Sequence, residues 1–396
     1  MMRRPVEPAI TEYLHTKASR LGIPLNGTFE LTPLCNMNCR MCYVRMDREQ
    51  QEAIAPLRTA EEWLELGWTA KERGMTYLLL TGGEPFLRSD FRQIMQGLHR
   101  MGFVMSINSN GTLIDERTVE WMKETPPIRI NITLYGASDE TYGRLCRNPR
   151  GFTQVTKAIR LLKEAGILVK LNCSVTPYNA EDLEQIFAFA DKEGLVVQAT
   201  SYMFPPLRRD ASKVGWNDRF SPEISARQEA WISVYQHGRE AWLEHMESDE
   251  MTALSGDIEE DCMPLEEESS QKDGNTGEAE GERIRCRAGK CSFWVTWDGY
   301  LLPCGMLPGE HALNVFETGF DAAWEQARAE AAAIRLPVKC STCFLKEKCR
   351  ACAAMVYTES GNYHDVPEYR CRLAHCYASA CRQVEAEIRR EARNQR

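Results

Sequence analysis

The first half of the chain alternates between amphipathic stretches and short apolar runs. The stretch after Gly151 places Phe152, Val155, Ile159 and Leu162 at the 3.6-residue period of a helix that packs through one face. Such stretches precede apolar runs at 75–81, 103–108, 128–134, 167–175 and 195–201, and a further β-rich run lies at 27–33. Six units of this kind predict an α/β fold built from right-handed βα units around a parallel sheet.

Helix-end signals support the same division of the chain. Thr59-Ala-Glu-Glu62 is a capping box that begins a helix. Four glycines end helices just before the apolar runs: Gly74, Gly102, Gly166 and Gly194. Active sites of parallel barrels gather at the carboxyl ends of the strands, so the residues that follow each run are the candidates for function.

Charge divides the chain further. The net charge is −9, yet residues 257–282 hold eleven acidic residues and one lysine, which leaves the remainder close to neutral. Residues 249–283 therefore predict an acidic, solvated linker rather than a packed element. With 396 residues the chain exceeds one hydrophobic core, so we expect a large domain and a smaller one on either side of this linker. The acidic balance argues against nucleic acid as a partner.

Cysteine is unusually frequent, at 16 residues. The first residues show no secretory signal, and no apolar run is long enough to span a membrane, so we expect a cytoplasmic protein without a membrane partner. In a reducing compartment such cysteines indicate metal ligation rather than disulfides.

The most informative stretch is Leu34 to Tyr43, in which Cys35, Cys39 and Cys42 have the spacing C-x3-C-x2-C. Three thiolates within eight residues can hold three irons of a [4Fe–4S] cluster and leave the fourth iron open to a ligand. Structural zinc is the alternative, although zinc sites usually contain two Cys/His pairs rather than one triplet.

This triplet, with the aromatic Tyr43 directly after it, resembles the cluster loop of the radical S-adenosylmethionine (SAM) enzymes. The resemblance implies a partial (βα)6 barrel similar to a TIM barrel. It also implies that the open iron chelates SAM, and that reductive cleavage of SAM yields a 5′-deoxyadenosyl radical, which takes hydrogen from the substrate.

The same resemblance assigns a SAM site at the ends of the next strands. Thr81-Gly82-Gly83-Glu84-Pro85 matches the family motif whose backbone holds the SAM ammonium group. By position, Ser109 after the third strand and Arg144 after the fourth fit contacts to the SAM carboxylate and ribose, with Arg147 as a rival of Arg144. Asn172 and Ser174 on the fifth strand are weaker candidates.

A second group of cysteines follows the linker. Phe293 to Cys304 predicts a hairpin that turns at Asp298-Gly299. The cysteine spacing resembles the SPASM domain, an extension of peptide-modifying radical SAM enzymes that carries two auxiliary [4Fe–4S] clusters. That resemblance gives the nearer cluster Cys286, Cys291, Cys304 and Cys352, and the farther cluster Cys340, Cys343, Cys349 and Cys371. The pair Cys349-Arg-Ala-Cys352 has one residue fewer than the family pattern, and a zinc ribbon is the alternative for C-x2-C-x5-C-x2-C.

These observations predict five segments. They are an N-terminal extension at 1–26, the radical SAM core with a trailing helix at 27–248, the linker at 249–283, the SPASM domain at 284–376 and a C-terminal helix at 377–396. The status of Cys291 decides one further point. If Cys291 is a ligand, the nearer cluster is closed; if it is not, one of its irons is open to a substrate.

The resemblance to SPASM enzymes implies post-translational modification of a peptide or protein, with a flavodoxin or ferredoxin as the low-potential electron donor. A sulfatase-maturase function is disfavoured, because that branch has an aspartate where this chain has Gly305. A small-molecule or tetrapyrrole substrate is a further alternative. A non-catalytic iron–sulfur electron carrier is the alternative from another class, and it would need no Gly-Gly-Glu-Pro motif.

Overall fold

The structure is a computed structural model that describes residues 9–208, 210–247 and 281–394. One eight-stranded sheet forms its centre, in the order β6-β5-β4-β3-β2-β1-β7-β8. Strands β1 to β7 all run parallel, and only the β7–β8 pair is antiparallel. The predicted α/β fold with a parallel sheet is thus confirmed. Most of the predicted acidic linker lies outside the described residues.

The strands are β1 (Asn26–Glu30), β2 (Tyr77–Thr81), β3 (Val104–Ser109), β4 (Arg129–Thr133), β5 (Val169–Ser174), β6 (Val197–Thr200), β7 (Ser292–Val295) and β8 (Leu301–Leu302). The helices of the first part are α1 (Ala9–Leu21), α2 (Arg48–Ile54), α3 (Ala60–Glu72), α4 (Phe91–Arg100), α5 (Glu116–Met122), α6 (Asp139–Cys146), α7 (Gly151–Glu164), α8 (Leu183–Glu193), α9 (Pro222–His237) and α10 (Arg239–Glu247). Those of the second part are α11 (Val315–Thr318), α12 (Phe320–Ala333), α13 (Val338–Ser341), α14 (Lys346–Cys349), α15 (Ala353–Ser360) and α16 (Glu368–Asn394).

The two faces of the sheet differ in chemistry. Apolar side chains such as Leu80, Ile107, Ile132 and Leu171 alternate along the strands and are fully buried in the main core. Because successive side chains of a strand point to opposite faces, the residues between them face the concave side of the sheet. That inner face is largely polar. We call the space it encloses the lumen.

The hairpin of the second part joins the barrel sheet. Strand β7 pairs in parallel with β1, with Asn26 in register with Ser292, and Phe293 of β7 lies in the main core against Phe320 and Trp324. The hairpin predicted for the C-terminal domain is present, but it extends the sheet of the first domain. The barrel and the cysteine-rich part therefore share one hydrophobic core at this edge.

Two long helices support the second part. Helix α16 begins at Glu368, nine residues before the C-terminal helix expected from the sequence, and packs against α9 through a separate apolar cluster that includes Leu373, Val384 and Trp242. Among the residues described, no helix combines the length and apolar character needed to cross a membrane.

Candidate radical SAM site

The cysteine triplet lies in the loop after β1, at the carboxyl edge of the sheet. Backbone amides bond two of the three sulfurs: Met37 donates to Cys35 Sγ at 3.4 Å and Arg45 to Cys42 Sγ at 3.3 Å. The side-chain amide of Asn110 adds a third donor to Cys35 Sγ, at 3.6 Å. Donors directed at sulfur stabilise thiolates and tune iron–sulfur clusters, so the loop fits the predicted cluster.

Helix α6 holds this loop from the side. The amide of Asn38 donates to the carbonyl oxygen of Cys146 at 3.0 Å, and that of Arg40 to Leu145 at 3.2 Å. The side chain of Cys146, together with burial, raises the pKa of Cys39. The loop is therefore fixed by the backbone of the barrel rather than by its own sulfurs.

The two glycines after β2 pack directly on the chain that enters the cysteine loop. A Cβ at Gly82 would lie 2.5 Å from the carbonyl oxygen of Thr32, and one at Gly83 would lie 2.3 Å from that of Leu34. The φ of Gly82 is also +151°, which few side-chain-bearing residues adopt. The amides of Gly83 and Glu84 donate to Thr32 and Leu34. An ammonium group donates hydrogen bonds, so the carbonyl oxygens of this loop, rather than its amides, are the groups that can accept from it.

Glu84 is fully buried and accepts four hydrogen bonds. Both of its oxygens receive the Ser109 hydroxyl, at 2.9 and 3.1 Å, and the amides of Asn110 and Phe86 bond to one oxygen each, at 2.7 and 3.1 Å. Burial raises the pKa of Glu84 to about 7 against the lowering effect of these bonds. Its carboxylate thus ties the loop after β2 to the loop after β3.

Ser109 lies where the sequence placed it, at the end of β3, but its hydroxyl bonds Glu84. Arg144 lies at the end of α6, and its guanidinium donates to the carbonyl oxygen of Tyr178 at 2.8 and 3.1 Å. Asn172 is half-buried on the inner face of β5, in register with Thr133. Contacts of Ser109, Arg144 and Asn172 with SAM remain predictions.

Sequence reasoning missed a buried ion pair next to the triplet. Glu30, the last residue of β1, is fully buried and accepts two bonds from Arg208, at 2.9 and 3.0 Å, and one from the Trp294 indole at 3.0 Å. Arg208 also donates to the carbonyl oxygen of Gly305 at 2.9 Å, beside Cys304. The sequence contained one signal for this pair: the carboxylate of Glu30 stands at the end of a strand, just before the cysteines.

This ion pair lies between the two cysteine regions. Tyr43 shares a small pocket with Arg208, Gly305 and Met306, next to the loop that carries Cys304. Burial raises the pKa of the Tyr43 hydroxyl above its ordinary value. Tyr43 therefore faces the second part of the chain as well as the cysteine triplet.

Four cysteines of the second part lie together. Burial raises the pKa of Cys371 to about 11, and the charges of Cys349, Cys340 and Cys343 add to this effect. These four line a cavity of about 410 Å³ together with Cys286 and Cys352. They are the four assigned to the farther cluster, and their chemistry and the space between them fit an iron–sulfur group.

Cys304 adjoins Cys352 and Cys286, whose charges add to burial in raising its pKa to about 11. Cys291 does not join them. Its sulfur is fully buried beside Ala18 and Leu25 and accepts a hydrogen bond from the Ser19 hydroxyl at 3.1 Å. The side chain of Cys291 thus packs under α1, and its assignment to the nearer cluster stays a prediction.

Within the residues that the structure describes, no three histidine, cysteine or carboxylate side chains converge closely enough to hold a single metal ion. A [4Fe–4S] cube spreads its ligands over a wider body than one ion does.

Comparison with known proteins agrees with this geometry. The profile of the radical SAM superfamily matches residues 29–190. The AdoMet-dependent heme synthase of Methanosarcina barkeri is 26% identical over 353 residues, which cover 86% of this chain and 94% of the relative. A probable GTP 3′,8-cyclase of Saccharolobus islandicus is 31% identical over 175 residues, 43% of this chain and 54% of that protein.

Solved structures resemble nearly the whole fold. The enzyme anSMEcpe with bound AdoMet superposes with a TM-score of 0.64 at 16% identity, covering 92% of this chain and 99% of that one. Streptococcus suis SuiB bound to its precursor peptide SuiA superposes with a TM-score of 0.61 at 18% identity, covering 93% of this chain and 82% of that one. Residues 29–190 thus match the radical SAM superfamily, as the cysteine triplet predicted.

Proposed function

We propose that Cys35, Cys39 and Cys42 hold a [4Fe–4S] cluster and that SAM binds between this cluster and the loops after β2 and β3. When bound and reduced, the cluster and SAM supply a 5′-deoxyadenosyl radical that abstracts hydrogen from the substrate. The observation that supports this most directly is the set of donors aimed at Cys35 and Cys42 beside the glycine loop.

The chain itself binds and orients SAM. We propose that the carbonyl oxygens of Gly82 and Gly83 accept from its ammonium group, which can only donate. Glu84 fixes the loops after β2 and β3 relative to each other, so these oxygens keep their positions. Ser109, Arg144 and Asn172 remain our candidates for its carboxylate and ribose.

We propose two auxiliary clusters in the second part. Cys340, Cys343, Cys349 and Cys371 supply four ligands to the farther one, as their common cavity supports. Cys286, Cys304 and Cys352 supply three to the nearer one, because Cys291 packs elsewhere. The nearer cluster then has one iron without a cysteine, which is the open alternative considered for the sequence.

For the substrate we propose a tetrapyrrole. The similarity to AdoMet-dependent heme synthases extends over 86% of the chain, and therefore well past the barrel into the cysteine-rich part. The same name is carried by a relative from Oleidesulfovibrio alaskensis, 23% identical over 85% of this chain and 84% of that protein. This reorders the alternatives, since the sequence alone favoured a peptide.

A peptide is the second candidate. Solved structures that share the fold include SuiB with its precursor peptide and anSMEcpe with the Cp18Cys peptide. Their identity of 16–18% supports the shared fold and leaves the substrate open.

The experiment is an anaerobic assay of the reconstituted, full-length enzyme with SAM and dithionite. 5′-Deoxyadenosine is measured together with the masses of added tetrapyrroles that carry carboxylates. We expect deoxyadenosine from the native enzyme and none from Cys39→Ala, and a mass change in a tetrapyrrole that scales with deoxyadenosine. Deoxyadenosine without any tetrapyrrole product would reject the tetrapyrrole and leave the radical chemistry intact. In the cell we propose flavodoxin or ferredoxin as the electron donor, which replaces dithionite in a second assay.

A further inference from the structure

Positive charge is concentrated next to the four cysteines assigned to the farther cluster. Residues 335–350 hold five basic residues and one acidic residue, whereas the whole chain has a net charge of −9. Three of these cations, Lys339, Lys348 and Arg350, are exposed and form no ion pair with any residue that the structure describes. Lys346, in contrast, is half-buried and pairs with a carboxylate. This part of the surface therefore presents cations whose charge the described chain does not neutralise.

An exposed aromatic ring lies among these cations. Phe344 is 69% exposed, the largest fraction among the large apolar side chains of the described residues, and Val338 is also exposed. The Phe344 ring meets the ring of His375 on α16 edge-on, with their centroids 6.0 Å apart. Exposed aromatic side chains are enriched where proteins bind one another. We call Val338, Lys339, Phe344, Lys348 and Arg350 the basic face.

The order of these side chains follows helix α16. Lys339 lies close enough to Cys371 for its charge to lower the pKa of that thiol, which burial raises to about 11. Lys348 acts in the same way on Cys381, whose pKa burial also raises to about 11. The two cysteines are ten residues apart on the helix, which corresponds to roughly 15 Å. Phe344 contacts the helix between them, so a cation lies on either side of the exposed ring.

The basic face adjoins the cavity of the farther cluster. Arg350 and His375 line this cavity together with Cys343 and Cys371. Phe344 directly follows Cys343 in the chain, and His375 lies one helical turn after Cys371 on the same side of α16. A redox group that approaches the basic face is therefore separated from the proposed cluster by few side chains.

The cysteine triplet of the barrel is less accessible to a protein. Cys39 is buried in the main core. In our proposal SAM and the substrate occupy the space in front of the triplet, at the end of the lumen. An electron donor of protein size would compete with the substrate there, whereas the basic face lies on the other part of the chain.

We propose that the basic face is the docking surface of an acidic electron-transfer protein, which delivers its electron to the farther cluster. One electron leaves the reduced flavin or iron–sulfur group of the donor, and the cluster held by the four cysteines is reduced by one electron. Carboxylates of an acidic partner would neutralise the three cations, and electron-transfer complexes bury little surface and depend on such electrostatic steering. The inference rests on the proposed function and adds the place at which the electron enters.

The first test measures binding to the anaerobically reconstituted full chain. The probe is a bacterial flavodoxin with a net negative charge, and cytochrome c, a basic electron-transfer protein, is the charge control. Isothermal titration calorimetry at low and at high salt gives dissociation constants for the native protein, Lys339→Glu, Lys348→Glu and Phe344→Ser. The matched controls are Lys192→Glu on α8 and Trp68→Ser on α3, both exposed and remote in sequence from the basic face. Melting temperature and iron content verify that each variant is folded and loaded.

We expect each charge reversal to weaken flavodoxin binding about tenfold and Phe344→Ser to weaken it about fivefold, while both controls bind as the native protein does. High salt should weaken native binding and reduce these differences, and cytochrome c should not bind. Equal flavodoxin affinity in all variants would overturn the docking surface. So would a native protein that does not bind flavodoxin, whether the basic face is open or covered by the acidic residues 257–282 of the chain itself.

The second test separates this inference from the proposed function by measuring 5′-deoxyadenosine. Dithionite is small and reduces clusters without docking, so Lys348→Glu should form deoxyadenosine with dithionite at the native rate. With reduced flavodoxin, at a concentration below its dissociation constant, the same variant should be about tenfold slower. Equal slowing with both reductants would place the defect in the cluster and overturn the docking role. A native protein that forms no deoxyadenosine with dithionite would reject the proposed function, while the binding measurements still decide the docking surface.

Discussion

The two cysteine regions of this enzyme are built in opposite ways. The N-terminal triplet lies in a loop between a regular strand and the barrel helices, and backbone bonds to Cys146 and Leu145 fix it. The second region carries Cys340 and Cys349 on α13 and α14, of four residues each, and Cys371 on the long helix α16, around an open cavity. Helices this short do not form without tertiary support. The first site is therefore held by the barrel backbone, whereas we expect the second to depend on the cluster proposed for its cavity.

The largest expected effect separates these regions directly. Cys343→Ala should remove about four iron atoms and also raise amide hydrogen exchange throughout 338–349, because the cavity loses its inorganic core. Cys39→Ala should remove about the same amount of iron and abolish SAM cleavage, while exchange in β1 to β6 stays as in the native protein. Iron analysis and hydrogen-exchange mass spectrometry measure both. Equal loss of amide protection around the two cysteine regions would contradict the proposed difference between them.

The second test breaks the link between the regions. Arg208→Gln leaves Glu30 buried and without its charged partner, so we expect the free energy of unfolding to fall by about 3–5 kcal/mol. Adding Glu30→Gln should restore part of that loss. The control is Arg92→Gln, whose exposed pair with Glu124 should contribute less than about 1 kcal/mol. Urea unfolding measures these free energies. A smaller loss of stability for Arg208→Gln than for Arg92→Gln would mean that the Glu30–Arg208 pair does not stabilise the fold.

A smaller effect is expected at Glu84, which joins the loops of the first site. Both of its oxygens accept a backbone amide, so Glu84→Gln turns an NH2 group toward an N–H and should cost about 1–3 kcal/mol. Because its folded pKa is raised to about 7, the native protein loses stability as pH rises from about 4.5 to about 7, and the variant does not.

The stability difference between the native protein and Glu84→Gln should therefore narrow with increasing pH. Urea unfolding at pH 5 and pH 8 measures it, with Glu120→Gln as an exposed control. A difference that stays constant across this range would contradict the raised pKa.

The smallest effect is expected at Cys291. Because its sulfur packs under α1 and bonds only Ser19 in the described structure, Cys291→Ala should leave the iron content and SAM cleavage unchanged. The loss of one small buried group should cost roughly 1 kcal/mol. Loss of about four iron atoms on this substitution would restore Cys291 as a ligand.

Local signals predicted the barrel well. The spacing of apolar residues, the glycines at helix ends and the capping box at Thr59 placed strands β1 to β6 within a few residues of their observed bounds. The cap at Thr59 is formed as predicted. The short helix α5 and the early start of α16 were missed, although the side chain of Asp115 caps the first of them. Elements defined by neighbouring residues are thus recoverable from the sequence.

Contacts between segments that are far apart in the chain could not be predicted from the sequence. Pairing of β7 with β1 joins segments about 260 residues apart, and no local pattern encodes such a choice. Spacing placed Cys291 next to the other ligands along the chain, but the direction of its side chain depends on the packing of α1. The Glu30–Arg208 pair was missed for the same reason, because its partners come from distant segments.

The parallel pairing of β1 with β7 has a consequence for biosynthesis. The strand that leads into the cysteine triplet leaves the ribosome well before residues 292–295, so one of its edges stays unpaired until they have been made. An open edge of this kind recruits other chains. Premature termination upstream of the hairpin should therefore yield insoluble fragments, and iron insertion into the barrel has to wait for, or tolerate, a nascent sheet that still lacks β7 and β8.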